Sequence, residues 1–316
     1  MKMKLFAVML SALIVTAPIH AKTLNMGTGG STGNYFKMGN DIKSYCSDDV
    51  SVDLNVEESG GSVENLLGLM NKKYALAIVQ EDVLHYNAKR SPKKVNRNRL
   101  KVLTGLHEES VHLLIPKGYS PKGSGNILSS LFGGDDKKKF TLSMLKNQEV
   151  GSWGGSIVSA EALSYFFKLN LHVKETQENV NNTSMPIVLV GGAPYQPVKN
   201  YLDSGKWVLA SLDYDEIKKD APFYSKQTVN YEISGKVSPV QTVGVRALLI
   251  GKSFRKESRN KPMSQLAACI YSNVADLADD PDTSPNWASV YDYIEDDGQS
   301  DWAYFPLDEQ VMKKYE

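Results

Sequence analysis

Two spacings of apolar residues alternate along the first ninety positions of this chain. Thr23 to Gly27 reads as a strand, and Ser51 to Val56 alternates polar with apolar side chains as a half-buried strand does. Tyr74 to Val79 is apolar throughout, the pattern of a strand buried on both faces. Between these segments the spacing becomes helical: Asn34 to Cys46, then Val63 to Met70 with Ser62 placed to cap it, then a helix opening over Asp82 to Tyr86. Strand, helix, strand, helix, strand is the order that builds a parallel sheet flanked by helices.

The same alternation continues. Val102 to Gly105 and Val111 to Ile115 are strand-like and end at Pro116-Lys117-Gly118, after which Ser120 to Lys139 is a Gly-rich and Lys-rich polar stretch around a short apolar helix. A second α/β unit follows, with a strand at Glu149 to Ser152 and a helix over Val158 to Leu169. Further strands are predicted at Pro186 to Val190, Trp207 to Leu209 and Val243 to Ile250, and the C-terminal third is mostly helical. No internal repeat is present. One α/β unit, a crossing near Pro116, a second unit and a long apolar strand returning near Val243 predict two α/β lobes joined by hinge strands. Residues 22–115 with 245–316 form the first lobe of that scheme, and 116–244 the second.

The N-terminus changes the expected compartment. Lys2 and Lys4 precede a short apolar run, Leu5 to Val15, and Pro18 to Ala21 supply a cleavage site, so residues 1–21 read as a signal peptide and the mature chain as a periplasmic protein. The formal net charge is zero, with no polybasic arm, which disfavours nucleic acid as a partner and gives no route to membrane insertion. Two cysteines, Cys46 and Cys269, are either buried thiols or, in an oxidising compartment, a disulfide.

Two loops carry candidate chemistry. Gly27-Thr28-Gly29-Gly30-Ser31-Thr32-Gly33 joins the first strand to the first helix, where free N–H groups and the helix dipole favour an anionic group; Ser31, Thr32 and Tyr35 add hydroxyls. An ordinary tight turn is the competing reading. A nucleotide P-loop fails for want of a lysine before the helix, and a dinucleotide fingerprint fails at Thr32, where the third glycine belongs, although Glu57 and Glu58 could imitate its ribose-binding acid. Gly151-Ser152-Trp153-Gly154-Gly155-Ser156 repeats the strand-loop-helix device. One loop per lobe makes a clamp for an anionic or zwitterionic solute, with Trp153 either on the solute or covering the hinge. The histidines lack metal-ligand spacing beyond a weak His107/His112 pair of strand-edge type, and no Gly-x-Ser-x-Gly elbow occurs. No metal, cofactor or catalytic group is therefore expected, and the chain is read as a binding protein rather than an enzyme.

These residues resemble the TAXI family of solute receptors that serve TRAP transporters. The family's first loop reads Thr-Gly-Gly-Thr-Gly-Gly-x-Tyr-Tyr-Pro-x-Gly, and here Thr28 to Gly39 keep Thr28, Gly29, Gly30, Gly33, Tyr35 and Gly39, with Ser31 in place of Thr and Thr32 in place of Gly. Ser59 to Leu66, Ala75 to Val83, Val111 to Leu114, Gly151 to Ala160, Val190 to Pro194 and Thr242 to Val245 extend the likeness in order. The resemblance implies a type II periplasmic-binding-protein fold and a small organic acid or acidic amino acid as ligand, glutamate-like or 2-oxoglutarate-like. It further implies a TRAP-type membrane permease as partner; the alternative is a binding module of the same fold that signals to a sensor kinase or serves another permease, with an exported enzyme the least favoured reading. Carried over residue by residue, the ligand contacts are Ser31, Thr32, Tyr35, Gln80, Ser152 and Ser156, to which the reading of the two loops themselves adds Gly30 and Trp153. Gly192 and Asn65 are further candidates, Asn65 equally explained as a cap. Arg246 is either a carboxylate partner at the hinge or a surface salt bridge. The Trp153-Gly154-Gly155 loop departs from the family's Gly-Ser-Gly-Thr pattern, and Glu175 to Met185 stands where a longer helical segment is usual.

Overall fold

The computed structural model describes residues 22–47, 50, 52–121 and 141–315. The signal-peptide reading of residues 1–21 and most of the polar stretch after Ser120 lie outside these described residues. The first α/β unit runs β1 (Lys22–Gly27), α1 (Asn34–Cys46), β2 (Val52–Glu57), α2 (Ser62–Met70), β3 (Leu76–Gln80) and α3 (Glu81–Arg90). β4 (Leu100–Pro116) then leads to β5 (Glu149–Ser152), α4 (Ser156–Phe166), β6 (His172–Glu175), β7 (Ile187–Gly191), α5 (Gln196–Asp203), β8 (Trp207–Ala210) and α6 (Tyr214–Ile217). The hairpin β9 (Tyr224–Ile233) and β10 (Lys236–Lys252) returns the chain, and α7 (Lys261–Ser272), α8 (Val274–Asp279), α9 (Trp287–Glu295) and α10 (Glu309–Tyr315) complete it.

The strands form one continuous ladder in the order β2-β1-β3-β10-β4-β7-β5-β6, with β8 on β4 and β9 on β10. At one end β1 pairs in parallel with β2 and β3; at the other β5 pairs in parallel with β6 and β7. Antiparallel β4 and β10 join the two ends. Two parallel units sharing two long central strands is the two-lobed type II architecture. The side chains divide accordingly: Leu103, Leu106, Ala247 and Leu249 pack with α1 and α7 in one core, whereas Val111, Leu113, Val243 and Val245 pack with α4 in another. We place the crossings between Leu106 and Val111 on β4 and between Val245 and Ala247 on β10.

Three local readings change. β4 is one strand of 17 residues, not two short ones, because the polar residues Glu108 to Ser110 stay in the ladder where the two lobes meet. β10 begins at Lys236, seven positions before the apolar signal, because Ser234 and Gly235, both at positive φ, turn it back on β9 as a hairpin. Gly61, at φ 91°, is the cap residue of α2, and Ser62 is instead its first residue, its hydroxyl accepting the Gln80 main-chain N–H at 2.9 Å.

Cys46, at the end of α1, is disulfide-bonded to Cys269 in α7 across the first lobe's core, closing a loop of 223 positions. Constraining the unfolded chain over so long a loop stabilises the fold by about 2–5 kcal/mol. A Cys46→Ala, Cys269→Ala double variant is therefore expected to lose stability of that order in urea denaturation, while the wild type in reducing agent converges on the variant's midpoint.

Candidate functional site

The polar run at the middle of β4 organises the space between the lobes. Successive side chains of a strand point to opposite faces, so Glu108 and Glu109 serve different sites. Glu108 pairs with Arg246 at 3.0 Å and accepts from the Gln227 amide; the Arg246 guanidinium also donates to the Leu106 carbonyl and lies 3.8 Å from the centre of the Tyr293 ring. Both partners of this pair are largely buried, so Arg246 forms a lock between the two hinge strands rather than a surface salt bridge. A cavity of about 420 Å³ opens on this face, lined by Glu81, Glu108, Tyr224, Arg246 and Tyr293 among others.

Glu109 faces the other way and gathers groups from three elements. Tyr35, in the first turn of α1, donates its hydroxyl to Glu109 Oε2 at 3.1 Å, and Gln80, the last residue of β3, donates its side-chain amide to the same oxygen at 2.5 Å. His107, two positions back on the same face, has Nε2 3.7 Å from Glu109 Oε1. That imidazole is 1 % exposed, and neither ring nitrogen has a hydrogen-bond partner. Tyr35 and Gln80 were expected from the sequence. Glu109 and His107 were not assigned a site role, because a charged and a polar residue between two apolar runs read as an interruption of the strand.

Asn65 holds this first-lobe side in place. It is fully buried, donating to the carbonyls of Thr28 at 2.6 Å and Ile78 at 2.7 Å and accepting from the Ser59 hydroxyl at 2.7 Å, so it ties the first loop, β3 and the second turn together. Gly27 is needed for that approach, since a Cβ there would stand 2.6 Å from Asn65 Oδ1 and from the Tyr74 ring. The glycine permits side-chain packing and is not itself the floor of an anion site. Gly30, Ser31 and Thr32 are exposed at the mouth, and the Ser31 N–H donates to Glu58 at 3.1 Å, so one main-chain donor of this loop already holds a carboxylate of the chain.

From the second lobe, Gly192 comes close to Asn34 at the start of α1, a Cβ on it falling 3.7 Å from the Asn34 amide. The second-lobe hydroxyls are engaged internally: Ser152 donates to the Val188 carbonyl at 2.8 Å and Ser156 accepts from the Val190 N–H at 2.9 Å, which fastens their loop to β7. Trp153 stacks on Tyr201 with ring centres 6.1 Å apart, at the edge of its own lobe's core. The structure thus brings Tyr35 and Gln80 together and leaves Ser152, Trp153 and Ser156 serving their own lobe.

Two further contacts join the lobes. Asp82, buried at the start of α3, accepts from the Tyr224 hydroxyl at 3.2 Å and from the Val83 N–H at 2.7 Å. Burial pushes its carboxyl up to about 6 against those hydrogen bonds, and nearby Glu109 adds to the rise. His85 stacks on Phe223 at 4.4 Å and lies near Glu81 at 3.5 Å and Asp301 at 3.0 Å, a metal-like trio absent from the sequence reading. The trio is internally satisfied: the Trp302 indole N–H is 3.1 Å from His85 Nε2, and Arg97 pairs with Asp301 at 2.9 Å. The group pins the C-terminal segment to α3. His112 is buried rather than at a strand edge. Its Nε2 bonds to the Tyr231 hydroxyl at 2.8 Å, and burial lowers its pKa to about 4.

Residues 26–129, well under half of the chain, match the NMT1-like family. No curated protein sequence matches it. Among solved structures the chain is similar to a protein from Bordetella bronchiseptica RB50, at 14% identity over 93% of this chain and 88% of that one, TM-score 0.47. It is also similar to a TctC solute-binding protein from Polaromonas, at 11% identity over 93% and 95%, TM-score 0.45. A third is the GluR0 ligand-binding core in complex with L-glutamate, at 11% identity over 81% and 96%, TM-score 0.43. Among the described residues no helix is long and apolar enough to cross a membrane.

Two outcomes are expected of this site's framework. Asn65→Ala removes three hydrogen bonds, two of them to the buried carbonyls of Thr28 and Ile78, and is expected to cost about 2–4 kcal/mol in chemical denaturation. Asp82 has a folded pKa of about 6 against 3.8 for the free group, so the native state binds the extra proton between those values and this contribution to stability is lost as pH rises through 6. Asp82→Asn lacks that loss, so its stability relative to wild type is expected to improve by up to about 3 kcal/mol between pH 4 and pH 7.

Proposed function

We propose that this chain is an exported solute receptor that closes its two lobes over a small polar solute and delivers it to a TRAP-type membrane permease. The observation that carries the reading is the cluster of Tyr35, Gln80, His107 and Glu109, buried polar groups converging where the hinge strands cross between lobes. Binding sites of two-lobed proteins lie at such crossings because closure desolvates the solute from both sides. A disulfide in the first lobe agrees with an oxidising compartment outside the cytoplasm. The TRAP partner, and an organic acid or acidic amino acid as the first cargo to try, rest on the resemblance of Thr28 to Gly39, Ser59 to Leu66 and Ala75 to Val83 to the TAXI receptors.

Nothing in the cluster resembles an assembled nucleophile and base: His107 faces a carboxylate at 3.7 Å, and no serine, threonine or cysteine hydrogen-bonds to its ring. The proposed role is therefore capture without turnover.

A solute that binds only the folded protein adds RT ln(1 + [L]/Kd), about 2.7 kcal/mol at a hundred times Kd. Thermal-shift titration across small polar solutes is expected to give one class with a concentration-dependent rise in Tm, together with a more compact form in small-angle scattering. Tyr35→Phe, which deletes one donor from the cluster, is expected to weaken that binding about ten-fold, whereas Ser152→Ala lowers stability without changing affinity. A flat response to every solute would refute the receptor reading.

A further inference from the structure

We infer that the solute held in this cleft presents a protonated nitrogen, an ammonium or amidinium, to Glu109, and that nitrogen-free dicarboxylates and 2-oxo acids are not its cargo. This rests on the cleft being the solute site, as proposed above, and names the chemistry that the site selects.

The charge around Glu109 is one-sided. Its two bonded partners, the Tyr35 hydroxyl and the Gln80 amide, are neutral donors that both use Oε2. The hinge's own cation does not reach it: Arg246 is committed to Glu108 and to the Leu106 carbonyl on the opposite face of β4. A mostly buried carboxylate held by neutral donors alone is costly unless a positive group is supplied, and a ligand cation supplies one. Beside Oε1 stands His107, 1 % exposed, with no hydrogen bond at either ring nitrogen and Nε2 3.7 Å away. That separation is too long for a hydrogen bond between the two, and it suits a donor reaching both: an ammonium has three N–H bonds to share between a carboxylate oxygen and an imidazole lone pair.

The surroundings repeat the sign. Glu58 already occupies the Ser31 N–H at the mouth, and Asp82 is buried at the interlobe contact. Burial first and Glu109 second hold the Tyr35 phenol well above its usual range, and the same two causes raise Tyr195 of the second lobe, so the field of Glu109 is felt from both sides of the cleft. A solute with two carboxylates would add negative charge to this set with no lysine or arginine among these groups to meet it. A solute with an ammonium is drawn in, and any carboxylate it also carries can use the remaining main-chain donors of the first loop.

The test is calorimetric titration of the mature, oxidised protein with pairs matched in length and differing in nitrogen. These are cadaverine and 5-aminovalerate against glutarate, L-glutamate against 2-oxoglutarate, and acetamidine as the amidinium probe. Binding confined to nitrogen-bearing members, weakened about ten-fold or more in Glu109→Gln while a distal Lys199→Ala control keeps wild-type affinity, is the expected result. Because selectivity is read on the wild type, a Glu109 variant that fails to fold does not decide the matter. If glutarate or 2-oxoglutarate binds as well as its nitrogen partner, or if Glu109→Gln folds and keeps the wild-type ranking, the ligand class is overturned and the receptor reading stands. If no probe binds and native mass spectrometry of the purified protein finds no co-purified solute, both are overturned.

Discussion

A backbone that passes twice between two hydrophobic cores must do so without leaving main-chain polar groups unpaired at the junction. This chain meets that constraint by sending both passes through as paired strands. β4 and β10, each of 17 residues, run antiparallel across the junction, and the ladder continues from Lys252 opposite Leu100 to Gly244 opposite Ser110. Outside the register shifts their main-chain groups pair with each other, and beside the shift between Arg246 and Leu248 the Leu106 carbonyl is met by the Arg246 guanidinium instead. The register shifts between Arg246 and Leu248 and between Leu249 and Ile250 fall beside the junction, where extra twist is admitted.

That pairing lets Glu108 and Glu109 have opposite fates. Adjacent residues on a pleated strand face apart, so one glutamate is neutralised by Arg246 across the two hinge strands while the next meets only neutral donors from α1 and β3. The first pair rigidifies the crossing. The second glutamate holds the Tyr35 hydroxyl and the Gln80 amide where the lobes meet, so a buried polar cluster stands there in place of apolar packing.

Much of the first lobe was legible because its signals are local. The 3.6-residue spacing of Asn34 to Cys46 and the unbroken apolar run before Gln80 depend only on what each element buries, and both appear with bounds within about two residues of those read from the pattern. The hinge strands were less legible. His107 to Ser110 lowers local hydrophobicity, and only the ladder on both sides shows that the strand does not stop there. Similarly, the serines of the second glycine-rich loop looked like ligand donors because exposed strand-end hydroxyls are common at binding sites. Their actual partners are carbonyl and N–H groups of β7, more than thirty positions away in sequence.

The amino-acid sequence by itself determined the alternation of strands and helices, the two-lobed plan and the first-lobe residues Tyr35 and Gln80. The first two follow from periodicity and Tyr35 from a loop whose spacing is read along the chain, whereas Gln80 comes from the resemblance to the TAXI receptors. Only the tertiary structure decided that Cys46 reaches Cys269, that Asn65 is a buried brace, that Arg246 is spent on Glu108, and that Glu109 and His107 stand together beside the two residues already named. The physical reason is that the charge balance of a site is set by which groups meet across sequence separations of tens to hundreds of residues, and no local pattern records those meetings.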